Sequence, residues 1–397
     1  MVDTADVAVV GAGIIGCSVA YYLAQQGAKV IMVEREAIGS GASFHATGSL
    51  LMLGTEFSEG PPFQLGMVGY HLFPDLVRSL EEDTGMDLLC QHRPAIRLAL
   101  DEAEEKLLKD LMAWQQNYVP IKWIDEKDVH QIEPRLTPNL RGAVYEEESI
   151  QLDSYRLTLA LAQAAENKGA QTLLREVTGL VTGNGRVTGI RTAAGEISCG
   201  TVVLAAGAWS SRFGEALGFS IPVRPLKGER LMLRYGGEPL PVLISSPVRG
   251  HMISRMDGLL SVGSTGGRDY DQKEWFLGEG FDRHPSETAK VELLQRAIDV
   301  FPALEHAELV QQLAGSRPLS PDHLPIIGAV PGWEGVVLAT GHGTKGIHLG
   351  PITGKTLAQY IQGGCSQVPE EIESFSPSRF TNAQEADFYA AGLNAEE

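Results

Sequence analysis

The chain has 397 residues, 43% of them hydrophobic and 21% charged, enough for one large or two medium domains with a sizeable core. Its formal net charge of −18 sets the surface against phosphate backbones and anionic lipid, so neither a nucleic-acid nor a membrane-surface role is expected, although a site can still be locally basic. No apolar run approaches the ~20 residues that span a bilayer, the acidic start lacks a secretory pattern, and Cys17, Cys90, Cys199 and Cys365 form no CxxC pair; metal and dithiol sites are excluded and a cytoplasmic location is expected.

In chain order, residues 6–10 (DVAVV) predict a buried parallel strand, 14–26 a helix with small residues on its sheet side, and 29–34 (KVIMVE) a second strand. This is a βαβ unit. Helical spacing returns over 64–85 (Leu72, Leu76, Leu80) and 102–117 (Leu107, Leu108, Leu111). Asp125 predicts the cap of a short helix that ends before Pro134, and 155–169 a helix stopped by Gly169. A meander is expected over 171–182, 186–192 and 201–206. Residues 221–264 alternate as antiparallel strands do, 287–300 are helical, and 335–340 form a further buried strand. A Gly-rich loop, 341–346, leads into a helix at 351–361. The polar tail from 370 is expected to wrap the surface or to be partly disordered.

The first βα turn carries Gly11-Ala12-Gly13-Ile14-Ile15-Gly16, with Glu34 at the end of the second strand and Arg35 after it. Gly11 allows the tight turn, Gly13 the approach of backbone to a pyrophosphate, and Gly16 close packing of helix on strand. The helix N-terminus offers unpaired N–H groups. Glu34 can accept both adenosine ribose hydroxyls and disfavours a 2′-phosphate. By itself this predicts a bound ADP moiety. Residues 183–189 (GNGRVTG) imitate a second fingerprint, but Asn184-Gly185 is a hairpin signal with a strand behind it, so a separate NAD(P)H domain is not expected.

Three later stretches carry a resemblance: EREAIGSGASFHATGS (34–49); VVLAAGAWS (202–210) with EVTGL (176–180) before it; and AGSRPLSPDHLPIIG (314–328) followed by ATGHGTKGIHLGPITG (339–354). Together they resemble the D-amino-acid-oxidase-like flavoproteins, in the branch of glycine oxidase, sarcosine oxidase and hydrogen cyanide synthase. The likeness runs over residues 5–365. It implies an α/β fold: a Rossmann-type FAD-binding domain with an interleaved α+β substrate domain on a mostly antiparallel sheet. The expected division is 1–85, 145–220 and 325–370 for the FAD domain, 86–144 and 221–324 for the substrate domain, and 371–397 for the tail.

The resemblance also implies roles. Ser43 and Phe44 approach the pyrophosphate, and His45, Ala46, Thr47 and Gly48 run beside the flavin ring. Val177 offers backbone to the adenine, and Ala206, Gly207, Ala208 and Trp209 close the cofactor tunnel. The loop Gly341, Gly343, Thr344, Lys345, Gly346 and Ile347 turns N–H groups on the flavin pyrimidine edge, where reduction builds negative charge. Lys345 is either a cation for that edge or a solvated surface lysine.

The implied activity is oxidation of the C–N bond of a small amino acid or secondary amine, by hydride transfer to flavin N5 and hydrolysis of the imine. Arg317 is the implied carboxylate clamp, matching a carboxylate bidentately. His251 stands where relatives often place a tyrosine against the substrate, and His348 near a carboxylate-binding lysine of sarcosine oxidases. His45 leaves two attachments open: noncovalent FAD, or a covalent link of the kind made by dehydrogenases with a Trp-His-Ala-Ala-Gly-like stretch. The cysteine that monomeric sarcosine oxidases use is replaced near Ser316.

The acceptor is open too. The lysine that activates oxygen in sarcosine oxidases corresponds to Ser261, so a dehydrogenase passing electrons to a partner protein or quinone stands beside an oxidase releasing hydrogen peroxide. A noncatalytic flavoprotein is a third reading. Either a homo-oligomer or a hetero-complex is compatible with these readings. Pocket size is expected to depend on residues 50–60 and 225–275.

Overall fold

The computed structural model describes residues 3–52, 57–265 and 281–381. Parts of both expected pocket segments (53–56 and 266–275) and the end of the tail (382–397) lie outside the described residues.

The β-branched run of strand Asp3–Val10 puts it at the centre of the first sheet, with Ala8 and Val9 fully buried. It pairs in parallel with Val30–Glu34 on one side and with Gly195–Leu204 on the other. Gln171–Leu174 extends the sheet beyond Val30–Glu34, again in parallel. The far edge of Gly195–Leu204 is used twice. Its first half pairs antiparallel with Arg186–Thr192, and its second half parallel with Val336–Thr340, which in turn pairs with Ile326–Ala329. The first sheet is thus assembled from strands spread between residues 3 and 340.

Several elements differ from expectation. The run 171–182 is two strands: Gln171–Leu174 joins the parallel sheet, and Val177–Gly183 forms a hairpin with Arg186–Thr192. Asn184 and Gly185, at φ 53° and 73°, make its two-residue turn, so the second fingerprint is indeed a hairpin. The strand expected at 201–206 begins at Gly195, because its polar first half lies along a hairpin edge.

The helix expected at 351–361 is Gly346–Gln362, with Pro351 inside it. Its glycines serve close packing rather than a loop. A Cβ on Gly354 would stand 2.5 Å from the Ser18 carbonyl carbon, and one on Gly350 2.9 Å from Ile14 Cγ1, both on helix Ile14–Gln25. Helix Pro61–Thr84, capped by left-handed Gly85, packs on the same last helix. Helices Glu102–Gln115, Glu126–Ile132 (N-capped by Asp125), Ser154–Asn167 and Glu287–Val300 lie close to where the spacing predicts them.

The second sheet runs in the order Glu308–Leu319, Arg224–Arg234, Leu260–Gly263, Gly250–Ser254, Leu243–Ser246, Ala95–Ala99, Gly142–Glu146, Ile121–Ile124. All its pairs are antiparallel except Leu243–Ser246 with Ala95–Ala99. The expected boundary between 144 and 145 falls inside one of these strands. Leu231, Leu233, Met252 and Val262 turn to one face, where helix Glu287–Val300 buries Leu293 and Ala297 against them. The opposite face carries Arg97, Ser245, His251 and Arg230 and borders a cavity. A small third sheet joins Ser49–Leu50, Ile150–Gln151 and Gln91–His92.

Residues 370–381 return to the first sheet. Ile372 and Phe375 are fully buried, and the Ile327 amide donates to the Phe375 carbonyl at 2.8 Å. Among the described residues no helix is long and apolar enough to cross a membrane.

Candidate active site

A cavity of about 880 Å³ lies between the first two sheets, at the upper end of the sizes that hold small molecules. One wall begins with the glycine turn. Gly11 has φ +101°, and a Cβ there would stand 2.5 Å from the Ala205 carbonyl oxygen. Gly16 does not line the cavity; a Cβ on it would run into the Gly11 carbonyl, so it holds helix against strand. Gly13 gives helix Ile14–Gln25 no side-chain cap, and the helix end opens on the cavity beside Ile15. Ser43 accepts the Ile14 amide at 2.9 Å, which leaves its hydroxyl proton for a further partner.

Glu34 is held rigidly. Its two carboxylate oxygens accept the Ala12 and Glu36 amides, both at 3.0 Å, leaving lone pairs that face the cavity. Trp209 has two cations near its ring, the Arg35 guanidinium at 4.2 Å and that of Arg283 at 5.8 Å. Arg283 is fixed by both Glu36 oxygens and the Ser40 carbonyl. Val177, Ala206, Gly207 and Ala208 line this same end.

At the other end, Gly341 (φ +74°) and Gly343 (φ +53°) turn the chain from strand Val336–Thr340 into helix Gly346–Gln362 within five residues. The N-terminus of that helix, with Gly343, Thr344, Gly346 and Ile347, faces the cavity, while Gly341 packs behind on Ile326 and Ser320. Lys345 is partly buried in the wall, its ammonium 5.8 Å from the Phe57 ring, rather than solvated on the surface.

Ala46, Thr47 and Gly48 line the middle. Phe44 faces outward against Tyr155, edge to face. The His45 ring rests on Gly315, where a Cβ would come within 2.7 Å of it. Its Nδ1 is buried with no hydrogen-bond partner. Burial, with Arg230 and Arg283 nearby, pushes its pKa down to about 4, so it is neutral at physiological pH.

The facing wall is the free face of the second sheet. The Arg317 guanidinium lies directly over Gly228, where any Cβ would overlap it. It donates to the Ser264 hydroxyl at 2.8 Å and the Thr265 carbonyl at 3.0 Å. His251 lies on Gly250–Ser254, separated from the strand of Arg317 by Arg224–Arg234 and Leu260–Gly263, its Nε2 shielded and without a partner. Burial and the cations of Arg230 and Arg317 push its pKa down to about 3. A group so weakly basic is a hydrogen-bonding group, not a proton acceptor near neutral pH. His348 also borders the cavity, but its Nε2–H is donated to the Gly66 carbonyl at 2.9 Å and its ring packs among Phe57, Tyr70 and Phe73. That is a packing role in place of the expected carboxylate contact.

Arg97 and Arg230 were not expected in the wall, and both are there, buried. Arg97 had a legible signal, as the lone cation of the apolar strand AIRLA, whereas Arg230 stands among the other charges of RPLKGERLMLR. Arg283 carried no signal at all.

A model of the family described as FAD-dependent oxidoreductase matches residues 6–360. A glycine oxidase of Geobacillus kaustophilus is 34% identical over 367 residues, covering 90% of this chain and 93% of the relative. A hydrogen cyanide synthase subunit of Pseudomonas aeruginosa is 28% identical, covering 95% and 96%. The crystal structure of a glycine oxidase from Geobacillus kaustophilus superposes with a TM-score of 0.86 at 31% identity, over 96% of this chain and all of the other.

Proposed function

The chain belongs to the D-amino-acid-oxidase-like family of FAD-dependent oxidoreductases, enzymes acting on amine and amino-acid C–N bonds, and from that premise we propose that it oxidises a small amino acid or secondary amine of the glycine, sarcosine or D-amino-acid kind, with O2 as acceptor and hydrogen peroxide as product. The observation that carries this is the Arg317 guanidinium, laid flat over Gly228 in the same cavity as two helix N-termini and the Glu34 carboxylate.

The wall fits FAD on its own chemistry. Gly11 brings bare backbone to the cavity and Gly16 packs tightly behind it, neither with room for a Cβ, and the His45 and His251 ring nitrogens are buried polar atoms awaiting partners. Gly11, Gly13, Ile15 and Ser43 would hold the pyrophosphate and Glu34 the ribose, with Arg35, Val177 and Trp209 around the adenosine. Residues 45–48 and 343–347 would hold the ring system. FAD, when bound, supplies the hydride acceptor. The chain's own groups orient the amine: Arg317 receives the carboxylate, and neutral His251 hydrogen-bonds the substrate. On this reading the first sheet is the cofactor half and the second the substrate half.

Ser261 and the likeness to a hydrogen cyanide synthase subunit favour a second reading, in which electrons pass to a partner protein or quinone. The deciding experiment mixes holoenzyme anaerobically with glycine, sarcosine and D-alanine and follows bleaching of the flavin. Bleaching followed by peroxide on admitting air supports the oxidase. Bleaching that only artificial acceptors reverse supports the dehydrogenase, and no bleaching by any amine refutes both. Noncovalent FAD is the expected attachment; flavin that stays with acid-precipitated protein, and is lost from His45→Ala, would establish the link instead.

A further inference from the structure

Pairing across the second sheet sets five positions in one row. Arg97 faces Ser245, Ser245 faces His251, His251 faces Gly263, and Gly263 faces Arg230. Paired residues share a face, so the row presents two guanidiniums, a hydroxyl and an imidazole to the cavity. The glycine in the row has a use: a Cβ on Gly263 would stand 2.8 Å from Arg230 Cβ, so its absence makes room for the arginine.

Arg230 is 6% exposed. Its guanidinium has only two long hydrogen bonds, to the Phe44 carbonyl and the Ser261 hydroxyl, both at 3.4 Å, and its Nε has none. Among the described residues no carboxylate forms an ion pair with it. The neighbouring acid Asp153 is taken by Arg255 at 3.0 Å. Four other arginines show the usual arrangement: Arg283 is matched by Glu36, Arg135 by Glu133, Arg249 by Glu104 and Arg379 by Asp322. A buried cation without a counter-ion is costly to keep. Burial already drags its pKa down to about 10, as an incoming anion would reverse.

We propose that this row is a second anion subsite centred on Arg230, so that the substrate is an amine bearing two acidic groups, one received by Arg317 and the other by Arg230, with His251 next along the row beyond Gly263. This rests on the amine-oxidising reading above. Arg97, farther along the row, marks the direction in which a longer substrate would extend.

The test compares matched probes on the holoenzyme: iminodiacetate with sarcosine, and D-aspartate with D-alanine. At least one dicarboxylate is expected to exceed its partner ~10-fold or more in kcat/KM. Arg230→Met should lower that ratio by ~30-fold, and Arg230→Lys should restore part of it. Preference for the monocarboxylate in both pairs, or an equal loss on both members in Arg230→Met, overturns the subsite. So does a changed flavin reduction potential in Arg230→Met with the ratio intact, which would assign the arginine to the cofactor. Malonate and acetate titrations, read by the flavin spectrum, separate this from the function itself. If no amine bleaches the flavin, the amine-oxidising reading fails, yet malonate binding no tighter than acetate would still refute the subsite, and tighter binding lost in Arg230→Met would support it.

Discussion

Gly228→Ala is the sharpest single test of the carboxylate clamp. Gly228 lies in the strand Arg224–Arg234, and its backbone is in a region open to any residue. The new Cβ would instead collide with the Arg317 guanidinium, well inside the 3.0 Å that real Cβ atoms respect. Backbone pairing fixes both strands, so the side chain gives way, retreating by about 1 Å, a displacement that can cost ~10²-fold in rate when it misplaces a substrate-orienting group. Such a loss in kcat/KM corresponds to about 2.7 kcal/mol of transition-state stabilisation. Stability should hardly change. The bonds of Arg317 to Ser264 and Thr265 are worth about 1 kcal/mol each, and replacing glycine at a compatible site returns about 0.4–1 kcal/mol. The assay is kcat/KM for the best amino acid, together with flavin content and Tm. A variant that keeps its flavin and loses ~100-fold is expected. Activity within about twofold of wild type would refute the clamp, since an orienting contact moved this far should not be silent.

Two further outcomes follow from the same geometry. Gly16→Ala drives a Cβ into the Gly11 carbonyl, backbone against backbone, and should yield protein purified without yellow cofactor; full flavin occupancy would contradict this packing role. His342 and His348 are held neutral, burial pushing each down from the ordinary imidazole value near 6.5 to about 3 and about 4. The unfolded chain therefore binds protons that the fold does not between pH 6.5 and those values, so stability is complete above about 6.5 and falls as the pH drops, by roughly 1.4 kcal/mol per histidine per unit. Tm measured from pH 7 to 5 should decline, and His348→Gln should flatten the slope; a level Tm would refute the assignment.

The nucleotide side was the legible one, because its demands are local. A tight turn, a helix end and an acid about 20 residues on leave their mark within one βαβ unit. The hairpin at 183–189 was legible for the same reason: Asn184-Gly185 names its own turn. Misreading began where local signals served distant partners. Nothing local to Gly350 and Gly354 shows their use, which is to make room for Ile14 and Ser18, more than 300 residues earlier. His348 looked functional in its motif, but its bond goes to Gly66, on a helix whose packing no spacing reveals. The row of Arg97, His251 and Arg230 is drawn from three separated strands, so only the register of the sheet discloses that they share one wall.

The split first sheet has a consequence for synthesis. Strand Val336–Thr340 completes the parallel core beside Gly195–Leu204, and the helix end that lines the cavity follows it directly. A ribosome therefore delivers the fingerprint first and its closing partner more than 300 residues later. During that interval the edge of Gly195–Leu204 is unpaired over Val202, Val203 and Leu204, an apolar edge open to misassociation. Cofactor capture is thus timed to the end of translation, and newly made chains short of FAD or of chaperone should be lost through this edge before any failure of catalysis is seen.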